Sequence, residues 1–193
     1  FDDRSIEPFG VKLVGNHQFI PLPGEKPYTS RGYVSPGHNS AYYDPVEDKY
    51  FLFFHTRFAH RGEYHEVRVH QFFINEDGWP VVAPYRYAGE RLEPYSVDEL
   101  IGDYKLVIHT KEITATIQRS VPITLSPDNS ITGSLSGEWY QTGDFSVWIS
   151  LNGEEYKGVF LRQWNNDQQS WVMTFTALSQ SGVSIWASKM VLP

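Results

Sequence analysis

Cysteine is absent from this 193-residue chain, which removes disulfides, thiolate catalysis and every Cys-based zinc site together. A block of basic residues is missing too. Sixteen Lys and Arg stand against 23 Asp and Glu, for a formal net charge of −7. Binding to a phosphate backbone draws on clustered cations that release counterions, so no nucleic-acid partner is expected. A polybasic membrane-surface mode lacks support for the same reason. No apolar run approaches the length of a transmembrane helix, so no membrane partner is expected either. Nor does any segment of helical length keep apolar residues at i, i+3, i+4 and i+7. What the chain does hold is aromatic: 12 Tyr, 12 Phe and 6 Trp, in runs where period-2 alternation recurs. It reads as a soluble, nearly all-β protein, long enough for one large domain or two small ones. Its first residue is Phe1, with no charged region, apolar core and small-residue cleavage site near it. The expectation is a processed or truncated piece of something longer, any export signal lying upstream.

Residues 33 to 87 read as one four-stranded β-unit. Gly37-His38-Asn39-Ser40 opens it, Lys49 to Phe58 and Glu66 to Ile74 are aromatic and β-branched runs bounded by polar turns, and Gly78-Trp79-Pro80-Val81-Val82-Ala83 closes it. One such unit cannot bury both of its own faces. Upstream, Phe9 to Asn16 reads as a strand left over from a preceding unit, followed by the loop PLPGEKPYTSRG. A boundary falls in the acidic stretch Gly89 to Gly102, where Ser96 to Ile101 is the one short helical turn expected, with Ser96 as cap and Glu99 three residues on. The division is therefore residues 1–101 and residues 102–193.

The second segment reads as about eight strands: Asp103 to His109, Glu112 to Gln118, Val121 to Ser126, Ser130 to Trp139, Asp144 to Leu151, Glu154 to Trp164, Ser170 to Leu178 and Val183 to Ser188. Their connections are short, and Asn152-Gly153 is the strongest hairpin signal, because both residues tolerate the positive φ of a type I′ turn. Eight short strands joined in sequence fit a small up-and-down barrel closed on itself. Phe145, Val147, Ile149 and Leu151 would face inward, and a barrel this small is expected to be filled by side chains rather than by a ligand.

Chemistry is harder to place. His65 and His70 are too far apart for the HExxH pattern and of opposite strand parity, so they do not make a zinc pair; His60 and His65 read as solvated turn residues. His38 differs because it lies where a strand should begin. Asp44, Glu47 and Asp48 form a turn cluster, Glu76-Asp77-Gly78 another, and Glu63 and Glu66 sit near Arg61 and Arg68, as suited to ion pairs as to catalysis. His55 and Arg57 share parity with Phe51 and Phe53. A guanidinium there could orient an anion or sugar hydroxyls, or form an ion pair inside the sheet.

The runs PGHNSAYYDPVEDKYFLFFHTRF and HEVRVHQFFINEDGWPVVAPYRYAGE, with the upstream VKLVGN and the downstream GDYKL, VFLRQW and VMTFTALS, resemble the C-terminal portion of glycoside hydrolase family 43. The resemblance is to extracellular bacterial endo-α-1,5-L-arabinanases that carry a C-terminal β-barrel. It implies that residues 1–101 are the last part of a five-bladed β-propeller and residues 102–193 an accessory barrel. It implies inverting hydrolysis of arabinan by a general acid Glu and a general base Asp on earlier blades, none of which matches a residue here. It further implies that His38 binds a calcium ion, most of whose remaining ligands are waters. Arg57 and Asn39 are the substrate-binding candidates, no catalytic residue is assigned, and the N-terminal propeller portion is the expected partner, as a second chain. The rival reading is a non-catalytic carbohydrate-binding β-module that stacks sugars on exposed Trp139, Trp148, Trp164 and Trp171.

Overall fold

A computed structural model describes residues 5–7 and 9–192. Three sheets account for its strands. The aromatic runs form an antiparallel sheet, in the order β2 (Val34–Asp44), β3 (Lys49–Arg57), β4 (Glu66–Ile74) and β5 (Pro80–Val82). Its turns are those expected from composition. Asp44 accepts at one carboxylate oxygen from the N–H groups of Val46 and Glu47, at 2.9 and 3.3 Å, which closes the β2–β3 turn. The side-chain amide oxygen of Asn75 likewise accepts from the N–H groups of Asp77 and Trp79, at 3.0 and 2.9 Å, before β5.

The second unit is a closed, wholly antiparallel barrel. It runs in sequence order through β6 (Gly102–His109), β8 (Val121–Leu125), β9 (Ser130–Gly133), β10 (Gly137–Gln141), β11 (Ser146–Leu151), β12 (Glu154–Asn165), β13 (Ser170–Ser179) and β14 (Ser184–Lys189), and back to β6. Closure leaves the barrel no free edge. The count of eight matches the sequence, but by two differences that cancel. Glu112 to Gln118 is not a strand: Glu112 makes a lone antiparallel bridge to Ser5, and β7 (Gln118–Arg119) pairs in parallel with β1 (His17–Gln18). Ser130 to Trp139 is two strands instead of one, because Gly133, at φ 113°, breaks the run before Ser134 and Leu135. The Asn152-Gly153 turn is as read: φ is 50° and 86° at its two residues, and Leu151 pairs with Glu154 across it.

Inward residues fill the barrel. Val147, Ile149, Phe160, Phe175, Trp139 and Tyr104 are all buried in one cluster, so the interior is a packed core. A Cβ at Gly158 would lie 1.8 Å from the carbonyl oxygen of Thr176, so only glycine lets β12 approach β13 this closely there. The linker belongs to the barrel as well. Helix α1 (Val97–Leu100) begins with the N–H and Oγ of Ser96 both donating to Glu99, each at 3.0 Å, and it plants Leu100, with no exposed surface, in the barrel core beside Tyr95.

The outer face of the barrel is buried too, where the sheet covers it. Phe73, Val81 and Ala83 pack on Val159, Leu161 and Leu178, while Phe19 and Val82 pack on Val107 and Trp186. An antiparallel strand with one face in solvent alternates apolar and polar residues. Strands β6 and β13 instead bury successive residues on both sides. The expected strand at Phe9 to Asn16 is not one. This stretch runs across the seam with a lone bridge from Lys12 to Val183, and Leu13 and Val14 enter the seam's apolar clusters. Its alternation reflects docking onto the barrel and not pairing into a sheet.

Candidate functional site

Strand β2 lies at the edge of its sheet, and two residues disturb it. Ser35 and His38 have φ of 51° and 53°, a left-handed region that non-glycine residues seldom occupy. Pairing with β3 shifts register between Val34 and Gly37 and again between Gly37 and Ser40. Irregularities of this kind re-aim a side chain out of the ladder. His38 and Asn39 are both exposed here. The strand thus begins before the Gly37-His38 step that the sequence suggests, at Val34.

The register brings three histidines into a row at this end of the sheet. His38 stands 5.7 Å from His55, and His55 stands 4.9 Å from His65, ring centre to ring centre. Sequence reasoning treated these separately, since the contacts depend on a slipped register. Arg57 lies alongside. Its Nη2 donates to Ser35 Oγ at 2.8 Å and its Nη1 donates to Glu63, while its Nε is buried without a partner. An ion pair is present, but not inside the sheet: its partner Glu63 lies exposed in the β3–β4 connection, and the pair anchors the guanidinium at the sheet end that also carries His38. The Asn39 side chain makes no hydrogen bond among the described residues. No group of three His, Cys, Asp or Glu among the described residues could hold a metal ion. A calcium ion prefers six to eight oxygens, so the exposed His38 nitrogen suits it only as one position in a shell otherwise drawn from outside this chain.

The carboxylates named from the sequence have structural partners. Glu66 pairs with Arg68 at 2.7 Å, and the hydrogen bond from that guanidinium holds its carboxyl below the usual range. Asp77 pairs with Lys157 at 2.6 Å and Glu76 accepts from Thr142 at 3.0 Å, tying the sheet to the barrel. The four tryptophans of the rival reading divide. Trp139 is 1% exposed and belongs to the barrel core, because it faces inward on β10, so it cannot stack on a sugar. Trp171 is exposed beside Trp164, and Trp148 is half-buried beside Tyr140.

A second region escaped the sequence altogether. A cleft of about 450 Å³ opens between the loop before β2, the sheet and the β12–β13 hairpin. Tyr28, Arg31, Tyr33, Tyr85, Arg86 and Asp167 are among its lining residues. Gly32 shapes its wall at φ 61°, where a Cβ would come within 2.2 Å of the His17 carbonyl oxygen. Arg86 donates to Asn166 Oδ1 at 2.6 Å. Desolvation raises the Asp167 carboxyl, against the opposing charges of Arg31, Arg86 and Lys105. The loop and the hairpin read as ordinary connections in the sequence, and no periodicity links segments so far apart.

A family model described as GH43_C, C-terminal lipocalin-like domain, matches residues 84–187, more than half of the chain. This chain belongs to that family. The match takes in the α1 linker, in keeping with Tyr95 and Leu100 lying inside the barrel core. Over 189 residues the chain is 52% identical to extracellular endo-α-(1→5)-L-arabinanase 2 of Bacillus subtilis (strain 168), covering 98% of this chain and 39% of that protein. It is 46% identical to the extracellular endo-α-(1→5)-L-arabinanase of Thermotoga petrophila, over 96% of this chain and 40% of that protein. Among solved structures, the glycoside hydrolase family 43 YxiA protein of Bacillus licheniformis superposes with a TM-score of 0.90 at 53% identity, over 98% of this chain and 41% of that one. The T. petrophila endo-1,5-α-L-arabinanase in complex with TRIS gives 0.88, over 94% of this chain and 40% of that one. The chain thus spans about two fifths of the length of these relatives and corresponds to their C-terminal part.

Proposed function

We propose that this chain is the C-terminal portion of a secreted, inverting endo-arabinanase that cleaves α-1,5-L-arabinofuranosidic bonds. In this reading sheet β2–β5 is the last blade of a five-bladed β-propeller, and the preceding portion of the same enzyme, as a second chain, supplies the catalytic carboxylates. The observation that carries the reading is the similarity over almost the whole of this chain to about two fifths of proteins named as extracellular arabinanases. The sheet supports it. Tyr42, Tyr43, Tyr50, Phe53 and Val67 are exposed, an apolar surface of the kind that marks an interface, and β2 has an unpaired edge.

An inverting hydrolase needs an acid and a base carboxyl roughly 6.5–9.5 Å apart across the scissile bond. The carboxylates of this chain singled out for that role are engaged in turns and ion pairs, so its part is different. It walls one side of the channel, holds Arg57 toward substrate through Glu63 and Ser35, offers Asn39 for hydroxyls and presents His38. A bound calcium ion would supply fixed positive charge beside the reaction. His38 would contribute one ligand to it.

The test is hydrolysis of linear arabinan by the 193-residue chain, alone and joined to the preceding portion. Activity is expected only in the joined form. There His38→Ala should lower calcium content and activity at least tenfold with the melting temperature nearly unchanged. Turnover by the chain alone that vanished on mutating Glu63, Glu66 or Asp44 would overturn the division of labour, and full activity with unchanged calcium in the His38 variant would overturn the metal assignment.

A further inference from the structure

The cleft beneath Arg31 is not used by the hydrolytic reading. Its volume of about 450 Å³ falls within the roughly 300–1,000 Å³ typical of small-molecule sites. Its position is set by topology. Gly32 and Tyr33 precede β2, Phe58 follows β3, Glu66 and Arg68 open β4, and Tyr85 and Arg86 follow β5. All of these lie toward the sheet end that carries His38, with Arg68 opposite Phe54 on the face turned away from His55 and Val67. The β12–β13 hairpin closes it from the barrel side with Asn166 and Asp167.

The charge of the cleft selects the ligand. Arg31, Arg68 and Arg86 face it together with Glu66 and Asp167, so guanidinium and carboxylate nearly balance. An anion would meet two carboxylates. A neutral polyol meets donors and acceptors at once, because guanidinium donates to hydroxyl oxygens and carboxylate accepts from hydroxyl protons. Arg68 is already committed, paired to Glu66 and packed over the Phe58 ring at 4.8 Å. Arg31 is exposed and makes no hydrogen bond or ion pair among the described residues. Asp167 is likewise exposed, and its carboxylate accepts no hydrogen bond among the described residues. Half-buried Tyr28, Tyr33 and Tyr85 supply aromatic surface for the C–H faces of a sugar. Their hydroxyls are tied down to Phe19 O, His70 Nε2 and Ser188 Oγ, at 3.3, 3.0 and 2.8 Å, so this wall is rigid before any ligand arrives.

We propose that the cleft is a remote sugar subsite that holds a neutral arabinofuranosyl segment of the polysaccharide, with Arg31 and Asp167 as its hydroxyl-binding pair. The identity of the sugar rests on the arabinanase reading; the site itself rests on the cleft. Binding energy gathered away from the scissile bond favours long substrates over short ones. In this way the barrel contributes to catalysis while holding none of the reacting groups.

Calorimetric titration of the 193-residue chain with arabinohexaose tests it, with an oligogalacturonate of equal length as the anionic control. Arabinohexaose should bind, Arg31→Gln and Asp167→Asn should each weaken it at least fivefold, and both variants should melt as the parent does. In the joined enzyme the same variants should raise KM for long linear arabinan at least threefold while leaving kcat, and the kinetics on arabinotriose, unchanged. No binding by the chain, binding indifferent to both substitutions, or preference for the oligogalacturonate would each overturn the subsite. The two readings fail separately: hydrolysis by the joined enzyme without hexaose binding here sinks only the subsite. Hexaose binding that depends on Arg31 in a joined protein without turnover sinks only the hydrolase.

Discussion

Lys105 and Glu25 form an ion pair in which neither side chain has any exposed surface, although 80 residues separate them. Lys105 sits on the outer face of β6, and Glu25 lies in the loop that crosses it. The carboxylate also accepts from Gln168 Nε2 at 2.8 Å, Val191 N at 3.3 Å and Leu22 N at 2.9 Å, and Tyr28 Oη accepts from the ammonium at 3.0 Å. Burial depresses the lysine pKa while Glu25 opposes the shift. Removing one partner of such a pair strands the other charge, at a cost of about 3–5 kcal/mol, whereas replacing both by apolar residues is often nearly neutral. Glu25→Ala should therefore lower the urea midpoint sharply, and Lys105→Met with Glu25→Leu should recover most of the loss. A single variant costing under about 1 kcal/mol would show that the pair behaves like an exposed one and does not hold the loop to β6.

Acid should loosen the same seam. His17, His70 and His109 are buried there around Trp186, with His109 4.5 Å from the indole and His17 5.2 Å from His109. Gly15 joins two of them, its carbonyl accepting from His17 Nδ1 at 2.9 Å and its N–H donating to His109 Nδ1 at 3.2 Å. His70 donates to Ala83 O at 2.7 Å and accepts from Tyr33 at 3.0 Å. Burial drives His17 down to about 4, His70 to about 3 and His109 well below its ordinary value; Lys12 acts on His109 in the same direction, and Arg68 and Arg86 act on His70. All three are neutral in both states above pH 6.5, so their contribution is complete there. Below it the unfolded chain binds protons that the folded chain refuses. Stability then falls by about 1.4 kcal/mol per pH unit for each group, until the folded values are reached. Thermal melts from pH 7.5 to 5 should show a steep decline, and His70→Gln should make it shallower. A flat profile over that range would contradict the account.

Legibility followed the period of the pattern. Strands β3, β4, β11 and β14 were readable because each keeps an alternating or continuous apolar run between turn residues, and Asn152-Gly153 fixes its hairpin by local chemistry alone. Phe9 to Asn16 misled because docking Leu13 and Val14 onto a barrel produces the same alternation as pairing into a sheet. His38 was visible through a long motif, yet its contact with His55 depends on register shifts that leave no mark in composition. The cleft was invisible. Arg31, Arg86 and Asp167 sit in three separate connections, and their proximity depends on the packing of one unit on the other.

The two faces of the barrel wall give opposite expectations for similar residues. Trp139 points inward, packs edge-on to Phe160 at 6.0 Å and donates its Nε1 proton to Ser126 O at 3.0 Å. Trp148, on the neighbouring strand, faces outward beside Tyr140 at 5.6 Å. Trp139→Ala should cost about 3–5 kcal/mol through the cavity it leaves. Trp148→Ala should cost about 1 kcal/mol, the scale of one exposed aromatic pair. Chemical denaturation of both variants checks the inward and outward assignment, and equal costs would refute it.

The position of the cut should decide whether the barrel survives alone. A piece beginning at residue 102 keeps all eight strands and can satisfy its backbone hydrogen bonds, which suggests independent folding. It also loses Tyr95 and Leu100, both buried in the barrel core, and with them the hydrogen bond from the Arg162 N–H to Tyr95 Oη at 3.0 Å. Truncating one buried Leu costs about 2–5 kcal/mol, and losing it with a neighbouring Tyr leaves a larger void at one end of the barrel. A piece beginning at residue 84 retains both. Each piece exposes Val107, Leu161 and Trp186 where the sheet had covered them, so that penalty is shared and cancels in the comparison. The longer piece should melt cooperatively and at least 10 °C above the shorter, taking several kcal/mol at about 4–8 °C per kcal/mol for a domain near this size. Equal midpoints would mean that the plug around α1 contributes nothing and that the barrel begins at β6.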